Sequence, residues 1–494
     1  MQVSDIFGVG AEWIQQRSMA ARGELENGAP IIFQPCQSLD NAGVLLLLPS
    51  LIANGLLSYK NHYHTIEKVF YSLDFTVLLL CFMFLSRIKN PEQLKHIVSS
   101  EFGKLLGIDK IPEAKRLRIR LSEISEQKKA DEWIADLFQF WLGDKENQNF
   151  FFYIDGHVRV YHGKKANLGK KHVSRQRLCL PGTNQYWIND SYGNPYLHID
   201  ATVNEKLLEM LKSEIIPQLE LQVKGRISKE MLELDKSLDI FTVVFDREGY
   251  SPKYFGELWQ KRIAVITYRK NVKDQWKEDD FKEYQVKVDG VQTKMFLCEK
   301  EIELDSVKMR EVRRLTEGGH QTSIITTNKK LSIESIAIYM FSRWCQENFF
   351  RYMRLEYDLD KIYQYAVKEI DKEVMVVNPD HSKLSYQIKK LSEKINRKRA
   401  ELYKIQQENC FDDLDNTSSY EKKQAKIIAQ LETLKQEDDN LRAERQKHSY
   451  KIALKDMPSL KRYNQLVQER NQFINILKMI CYRAETSLIS LIPS

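Results

Sequence analysis

The sequence predicts a mixed α/β protein: a central α/β core with a β-rich segment inside it, flanked by helical regions on both sides. Three observations predict this. Residues 41–145 hold long apolar runs with no strand-like alternation. From residue 149 to residue 268, short aromatic and β-branched runs alternate with helical patterns. From Leu384 onward, apolar residues recur in alternating steps of four and three, the seam of a coiled coil.

At roughly 150 residues per domain, 494 residues suggest about three domains. The divisions fall at a loosely structured arm (1–40), a helical domain (41–145), the α/β core (146–370, with an insertion at about 270–327) and a C-terminal helical region (371–494). A hydrophobic share of 43% supports packed cores and argues against a mostly disordered chain. The seven cysteines are scattered and form no C-x-x-C pair, which argues against a zinc ribbon or dithiol site and fits the reduced thiols of a cytosol. Asp5 comes before any apolar run, so no signal peptide is expected. The runs Asn41–Tyr59 and Phe75–Leu85 are interrupted or too short for the roughly 20 apolar residues of a membrane span, so both are expected to be buried helices.

In the helical region, Phe102–Leu121 reads as a short helix, a turn at Gly107–Pro112 and a second helix from Glu113. Leu117 and Leu121 face a core, and Lys115, Arg116, Arg118 and Arg120 face outward for the most part. Such a helix-turn-helix could enter a DNA major groove. The alternative is the solvated basic face of a bundle helix.

In the core, Phe150–Tyr161 is strand-like, and Gln185–Asn189 and Pro195–Ile199 form a hairpin around Asp190-Ser-Tyr-Gly-Asn194. A helix at Asn204–Leu219, a strand at Phe241–Phe245, a helix at Pro252–Lys261 and a strand at Ile263–Tyr268 follow. The order β-β-β-α-β-α-β is that of the ribonuclease-H-like fold. The segment Lys270–Thr327 adds strand-like stretches at Tyr284–Val288, Thr293–Cys298 and Thr322–Thr326, either as an insertion or as a separate β domain. Ser332–Leu355 reads as one helix. Further on, Leu384, Ile388, Leu391, Ile395, Leu402 and Ile405, then Ile427, Leu431, Leu434 and Leu441, suggest an antiparallel hairpin, with a dimerising coiled coil as the alternative. Leu460–Ile480 is expected to pack back onto the body.

Three carboxylates stand where chemistry could sit. Asp155 lies in the first strand and Asp246 directly follows the fourth; in this fold those strands are neighbours, so the two acids meet at one sheet edge. Adjacent carboxylates repel and need cations to stay ionised. Two divalent ions about 3.5–4 Å apart would supply that, activating an attacking oxygen and stabilising a leaving one. Hard oxygen ligands favour Mg²⁺ or Mn²⁺. A third acid, Glu347, comes from the last helix. Tyr339, Arg343 and Glu347 are spaced i, i+4, i+8 and share a face, which Arg351 and Arg354 roughly continue. A metal ligand beside phosphate-holding groups is one reading and an Arg343–Glu347 surface pair is the other. Asp190, Asp200 and Glu248 are assigned to turns or surface.

The formal charge of +7 is localised. Gly156–Leu178 holds Arg159, Lys164, Lys165, Lys170, Lys171, Arg175 and Arg177 and no acidic residue, so the rest of the chain balances. This stretch, with the four lysines in a loop, begins one residue after Asp155 and reads as a guide for phosphates, each neutralised phosphate adding salt-dependent affinity. A solubilising loop is the alternative.

The contexts Tyr153-Ile-Asp-Gly-His-Val-Arg-Val-Tyr-His162, Phe245-Asp-Arg-Glu-Gly-Tyr250 and Arg343-Trp-Cys-Gln-Glu-Asn-Phe-Phe350 resemble the three acidic motifs of the DDE transposases of bacterial insertion sequences. Asn90-Pro-Glu-Gln-Leu94 and Gly103-Lys-Leu-Leu-Gly107 resemble further segments of that family, and the likeness covers most of residues 40–370. Gaps of 91 and 101 residues separate the acids, the second lengthened by the β segment. One subgroup has a Tyr–Arg–Glu–Lys signature around the last acid. Here Arg343 fits its place, Met340 stands at the Tyr position beside Tyr339, and Arg354 stands at the Lys position. The resemblance implies a ribonuclease-H-like core in which Asp155, Asp246 and Glu347 hold two Mg²⁺ or Mn²⁺ ions. It implies cleavage and strand transfer on double-stranded DNA, at terminal inverted repeats and target sites, by a homodimer in the bacterial cytoplasm. A catalytically inactive DNA-binding protein and a nuclease without strand transfer are the alternatives.

Overall fold

The computed structural model describes residues 9–36, 38–143, 150–173, 175–201, 205–288, 291–408, 417–457 and 462–491. The sequence also predicts turns at Asp289-Gly290 and Asn409–Ser419; the first and most of the second lie outside these residues. The chain forms two compact units, Met1–Val367 with Leu466–Ser494, and Lys368–Gln465.

The first unit opens with α1 (Val9–Arg22), so part of the segment expected to be a loose arm is helical. Trp13 is buried, and Arg17 pairs with Asp109 at 2.6 Å and lies over the Phe70 ring. Next come α2 (Leu48–Ala53), α3 (Leu73–Leu85), α4 (Ser99–Leu105), α5 (Ala114–Glu126) and α6 (Ala130–Leu142). Ser72 caps α3 by accepting the Phe75 N–H, and ten of its thirteen residues are buried. Each fully buried Leu or Phe contributes about 1.5–3 kcal/mol, which explains why this apolar run is core. No helix of the described residues is long and apolar enough to cross a membrane. Between α4 and α5, Gly107 takes a positive φ of 69°, and the Ile111 N–H returns to the Ser99 carbonyl at 3.1 Å. The short helix, turn and second helix expected there are present.

The strands are β1 (Phe150–Val160), β2 (Lys170–Val173), β3 (Leu178–Asn189), β4 (Pro195–Asp200), β5 (Phe241–Phe245), β6 (Ile263–Tyr268), β7 (Lys282–Val288), β8 (Val291–Leu304), β9 (Val307–Leu315) and β10 (Gln321–Thr326). They make one mixed sheet in the order β2-β3-β1-β5-β6-β10-β9-β8-β7, with β4 also on β3. The β1–β5 and β5–β6 pairs are parallel and β1–β3 is antiparallel. The β-rich segment is no separate domain: β10 pairs with β6 and extends the same sheet. β2 was not foreseen; it puts Lys170 and Lys171 on a strand, whereas Lys164 and Lys165 lie in a loop.

Among the described residues, two helices lie between β4 and β5. The first, α7, runs through Leu207–Met210, a π turn at Leu211–Ile215, and Ile216–Gln222; α8 (Lys229–Leu234) follows. α9 (Pro252–Gln260) connects β5 to β6. After β10 come α10 (Ile333–Phe341) and α11 (Trp344–Tyr357). The single helix expected over Ser332–Leu355 is thus divided at Ser342–Arg343. Strand alternation sorts the apolar residues. Tyr153, Val244, Ile266 and Ile324 pack with Ile336 and Met340 of α10 on one face, and Phe152, Ile154, Val243 and Phe245 join the main core on the other.

The second unit is built on α12 (Pro379–Glu408) and α13 (Thr417–Gln446), whose Leu391, Ile395, Ile427 and Leu431 share a core. At their base, Met375–Val377 pairs antiparallel with Lys451–Ala453, and the Asn378 N–H donates to the Tyr450 carbonyl at 2.9 Å. The start of α12 therefore lies beside the end of α13: the pair is an antiparallel hairpin. The chain then re-enters the first unit as α14 (Glu469–Ile489), burying Phe473, Ile476, Leu477 and Ile480 in its main core as expected.

Candidate functional site

Ile154 pairs with Phe245 in the parallel β1–β5 register. Asp155 is the next residue of β1 and Asp246 directly follows β5, so strand alternation points both toward the face covered by α10. The Asp155 carboxylate accepts the Gly156 N–H at 2.8 Å, and that of Asp246 accepts the Arg247 N–H at 2.6 Å. Sheet pairing alone makes two acids neighbours here, on adjacent strands about 4.8 Å apart.

The first turn of α11 brings the third acid. Gln346 is fully buried, and its Nε2 donates to the Tyr153 carbonyl at 2.8 Å, fastening the helix to β1 two residues before Asp155. Arg343, at the break between α10 and α11, reaches Asp155 with Nη1 (3.4 Å to Oδ2) and Glu347 with Nη2 (3.5 Å to Oε1). Both contacts are long for charge-assisted hydrogen bonds. The Asp155 carboxyl is pushed up to about 6: burial does most of this, Asp246 and Glu347 add repulsion, and Arg343 and the Gly156 N–H oppose it. One loosely held guanidinium thus bridges Asp155 and Glu347, with Asp246 close enough to Asp155 to repel it. The donor set is all oxygen and short of positive charge, which suits a hard divalent cation. Among the described residues, no three His, Cys, Asp or Glu side chains converge on one point as placed.

Other candidates sort clearly. Tyr339 does not continue the Arg343–Glu347 face, because the helix breaks between them; its ring stacks on Phe151 at 4.1 Å and its carbonyl accepts the Tyr153 hydroxyl. Arg351 is exposed on α11. Arg354 donates to the Phe350 carbonyl, and burial together with Arg175 lowers its pKa. Lys164, Lys165, Lys170 and Arg177 are exposed. Lys171 is half-buried, and burial lowers its pKa. Arg175 pairs with Asp360 at 3.0 Å.

Two expected DNA-facing cations are corrected. Arg159 is 1% exposed and contacts Asp200 at 3.3 Å and Gln468 at 3.2 Å, so its guanidinium cannot reach a phosphate in this fold. Arg120 is 3% exposed and pairs with Glu123, leaving Lys115, Arg116 and Arg118 as the exposed cations of α5; Arg118 is paired with Glu92. Asp190 is a turn former, its Oδ1 accepting the Tyr192 and Asn194 N–H groups.

Two residues escaped the sequence. Gln346 lies inside the third acidic motif but has no role assigned to it there: that role appears only with β1 in place. Asp360 sits at 2.6 Å from His157 Nε2, and His157 stacks on Phe350. His157 and Arg175 together hold Asp360 below the usual carboxylate range despite its burial. Only its distant partners reveal it.

No curated protein matches this chain. A family model described as "Transposase protein" matches residues 8–493, nearly the whole length, and the chain belongs to that transposase family.

Proposed function

We propose that this transposase is of the DDE type, with a ribonuclease-H-like core and Asp155, Asp246 and Glu347 as its acidic triad. The strand order β4-β3-β1-β5-β6, parallel from β1 to β6, supports that fold. The observation that carries the reading is the pairing of Ile154 with Phe245, which sets Asp155 beside Asp246 while α11 supplies Glu347.

The three carboxylates would hold divalent cations, Mg²⁺ or Mn²⁺. When bound, such ions supply activation of the attacking oxygen and charge stabilisation of the leaving one. Arg343, relieved of its bridging position, would turn its guanidinium to a non-bridging phosphate oxygen, a bidentate partner suited to it. The exposed Lys164, Lys165, Lys170 and Arg177 draw the DNA backbone in. The reaction is displacement at phosphorus. Water attacks the phosphodiester at the element end and the 3′ oxygen leaves, taking a proton to become a hydroxyl. That hydroxyl then attacks a target phosphodiester: a new P–O bond forms, the bond to the target strand's own 3′ oxygen breaks, and that oxygen leaves as a hydroxyl with the proton the attacker gave up. The exposed face of α5 is the candidate for reading the terminal repeat, and a homodimer would hold both ends.

The test is cleavage of duplex DNA carrying the element end, with Mg²⁺ and with chelator. Asp246→Asn or Glu347→Gln cutting like the parent would sink the triad. Cut ends that are never joined to a second duplex would make the protein a nuclease.

A further inference from the structure

Between Lys389 and Lys404, α12 carries seven Lys or Arg residues against two Glu; between Glu432 and Arg445, α13 carries three against five acids. The hairpin is therefore basic in its distal half and acidic nearer its base. Solubility calls for charge of both signs, interspersed. Segregation by sign makes a field that a charged partner can use.

The distal cations are also aligned. Lys390, Lys394, Arg397 and Lys404 stand four, three and seven residues apart, which places them on one stripe of a 3.6-residue helix, beside the Leu391–Ile395 seam. All four are exposed. Lys394, Arg397 and Lys398 face Gln430 and Thr433 of α13 across a groove of about 480 Å³, and Lys426 lies one turn further along that edge. Glu401, the acid on the stripe, is held by Lys398 at 2.7 Å. From Lys390 to Lys404 the stripe runs about 21 Å, the length of about six base pairs of duplex.

We propose that this flank of the hairpin binds the phosphate backbone of duplex DNA without reading its sequence, a contact additional to the active site. The proposal rests on the reading of the chain as a DNA-handling enzyme. Lysines, arginines and the amide and hydroxyl of Gln430 and Thr433 are the groups that contact phosphates, and they fix position without specifying bases.

The experiment measures full-length protein binding a labelled mixed-sequence duplex, from about 50 to about 200 mM salt. Changing Lys390, Lys394, Arg397 and Lys404 together to Gln should weaken binding and flatten the plot of log affinity against log salt by about 3–4, at about 0.9 per phosphate contact. The milder pair Lys394→Gln with Arg397→Gln should flatten it by about half as much and covers the case in which the quadruple variant unfolds. Lys435, Arg442, Arg445 and Lys447 to Gln, near the hairpin base, should change neither. Parental affinity and slope in the pair variant would overturn the proposal. So would an equal loss in the base variant, which reports net charge alone, or a halved sedimentation mass, which would make the flank a dimer contact. Asp246→Asn in the same assay should still bind. If that variant cleaves, the triad fails while the hairpin result stands.

Discussion

One sheet holds two carboxylate sites that differ in how their charge is met. Glu311 on β9 is fully buried and saturated: it accepts Arg313 Nε at 2.7 Å, Ser323 Oγ at 2.6 Å and the Arg269 guanidinium. Arg313 is in turn held by Asp274 at 2.7 Å. Asp155 on β1 has one backbone N–H and one guanidinium at 3.4 Å, shared with Glu347, with Asp246 beside it. The difference separates structure from function. A saturated buried carboxylate fixes the fold and has nothing left to bind, whereas a cluster short of positive charge is unfavourable until a cation arrives.

The comparison breaks if the two sites respond alike to neutralisation. Asp246→Asn should lower metal-dependent cleavage by at least about a thousandfold, some 4 kcal/mol of barrier. It should leave chemical denaturation unchanged or shifted toward higher stability, since a repulsive charge is gone. Glu311→Gln should do the reverse. It leaves Arg269 and Arg313 beside a neutral amide, with Asp274 still on Arg313, and weakening such a buried network costs up to about 3–5 kcal/mol of folding stability. Cleavage per folded molecule should stay near parental. Unfolding curves and cleavage rates on both variants decide the matter, and a stable, inactive Glu311→Gln protein would contradict the division.

Much of this was legible in the sequence, for identifiable reasons. Phe241–Phe245 and Ile263–Tyr268 are apolar but for one threonine each because central strands are covered on both faces, and both stand where expected. Asp246 could be placed because it follows such a run directly. What failed was non-local. Arg159 reads as one more cation of a basic stretch, and its burial depends on Asp200 and on Gln468, 309 residues away. Nothing local marks the break at Ser342–Arg343, where neither Gly nor Pro occurs. Arg120 is a different lesson. It lies three residues after Leu117 and four before Ile124, on the buried face of α5, so helical spacing was enough to place it.

Acid should test a further structural group, on the other side of the β1–β5 pair from Glu311. His198 on β4 packs against Trp187, and burial, helped by Arg159, lowers its pKa to about 3. In the unfolded chain a histidine titrates near 6.5. Below that value the unfolded state takes up a proton that the folded state refuses, so stability falls as pH drops from about 6.5 toward 3. Between pH 7 and pH 4 the loss should reach about 3 kcal/mol. His198→Phe, which keeps the ring contact, should remove that part of the slope in denaturation measured at several pH values. An unchanged slope would mean that other groups dominate.

The smallest effect is expected where helical spacing and folded geometry disagree. Spacing puts Tyr339 on the face of Arg343 and Glu347, as a phosphate-holding group. In the fold, its ring lies on Phe151, four residues back along β1 from Asp155, roughly 13 Å at strand rise. Tyr339→Phe keeps that stack and removes only the hydroxyl. Cleavage should change by less than about threefold, under about 0.7 kcal/mol. Arg343→Gln, at the acids themselves, should cost considerably more. A Tyr339→Phe loss as large as that of Arg343→Gln would show that α10 and α11 straighten into one helix on DNA, so that the break at Ser342–Arg343 belongs to the free protein alone.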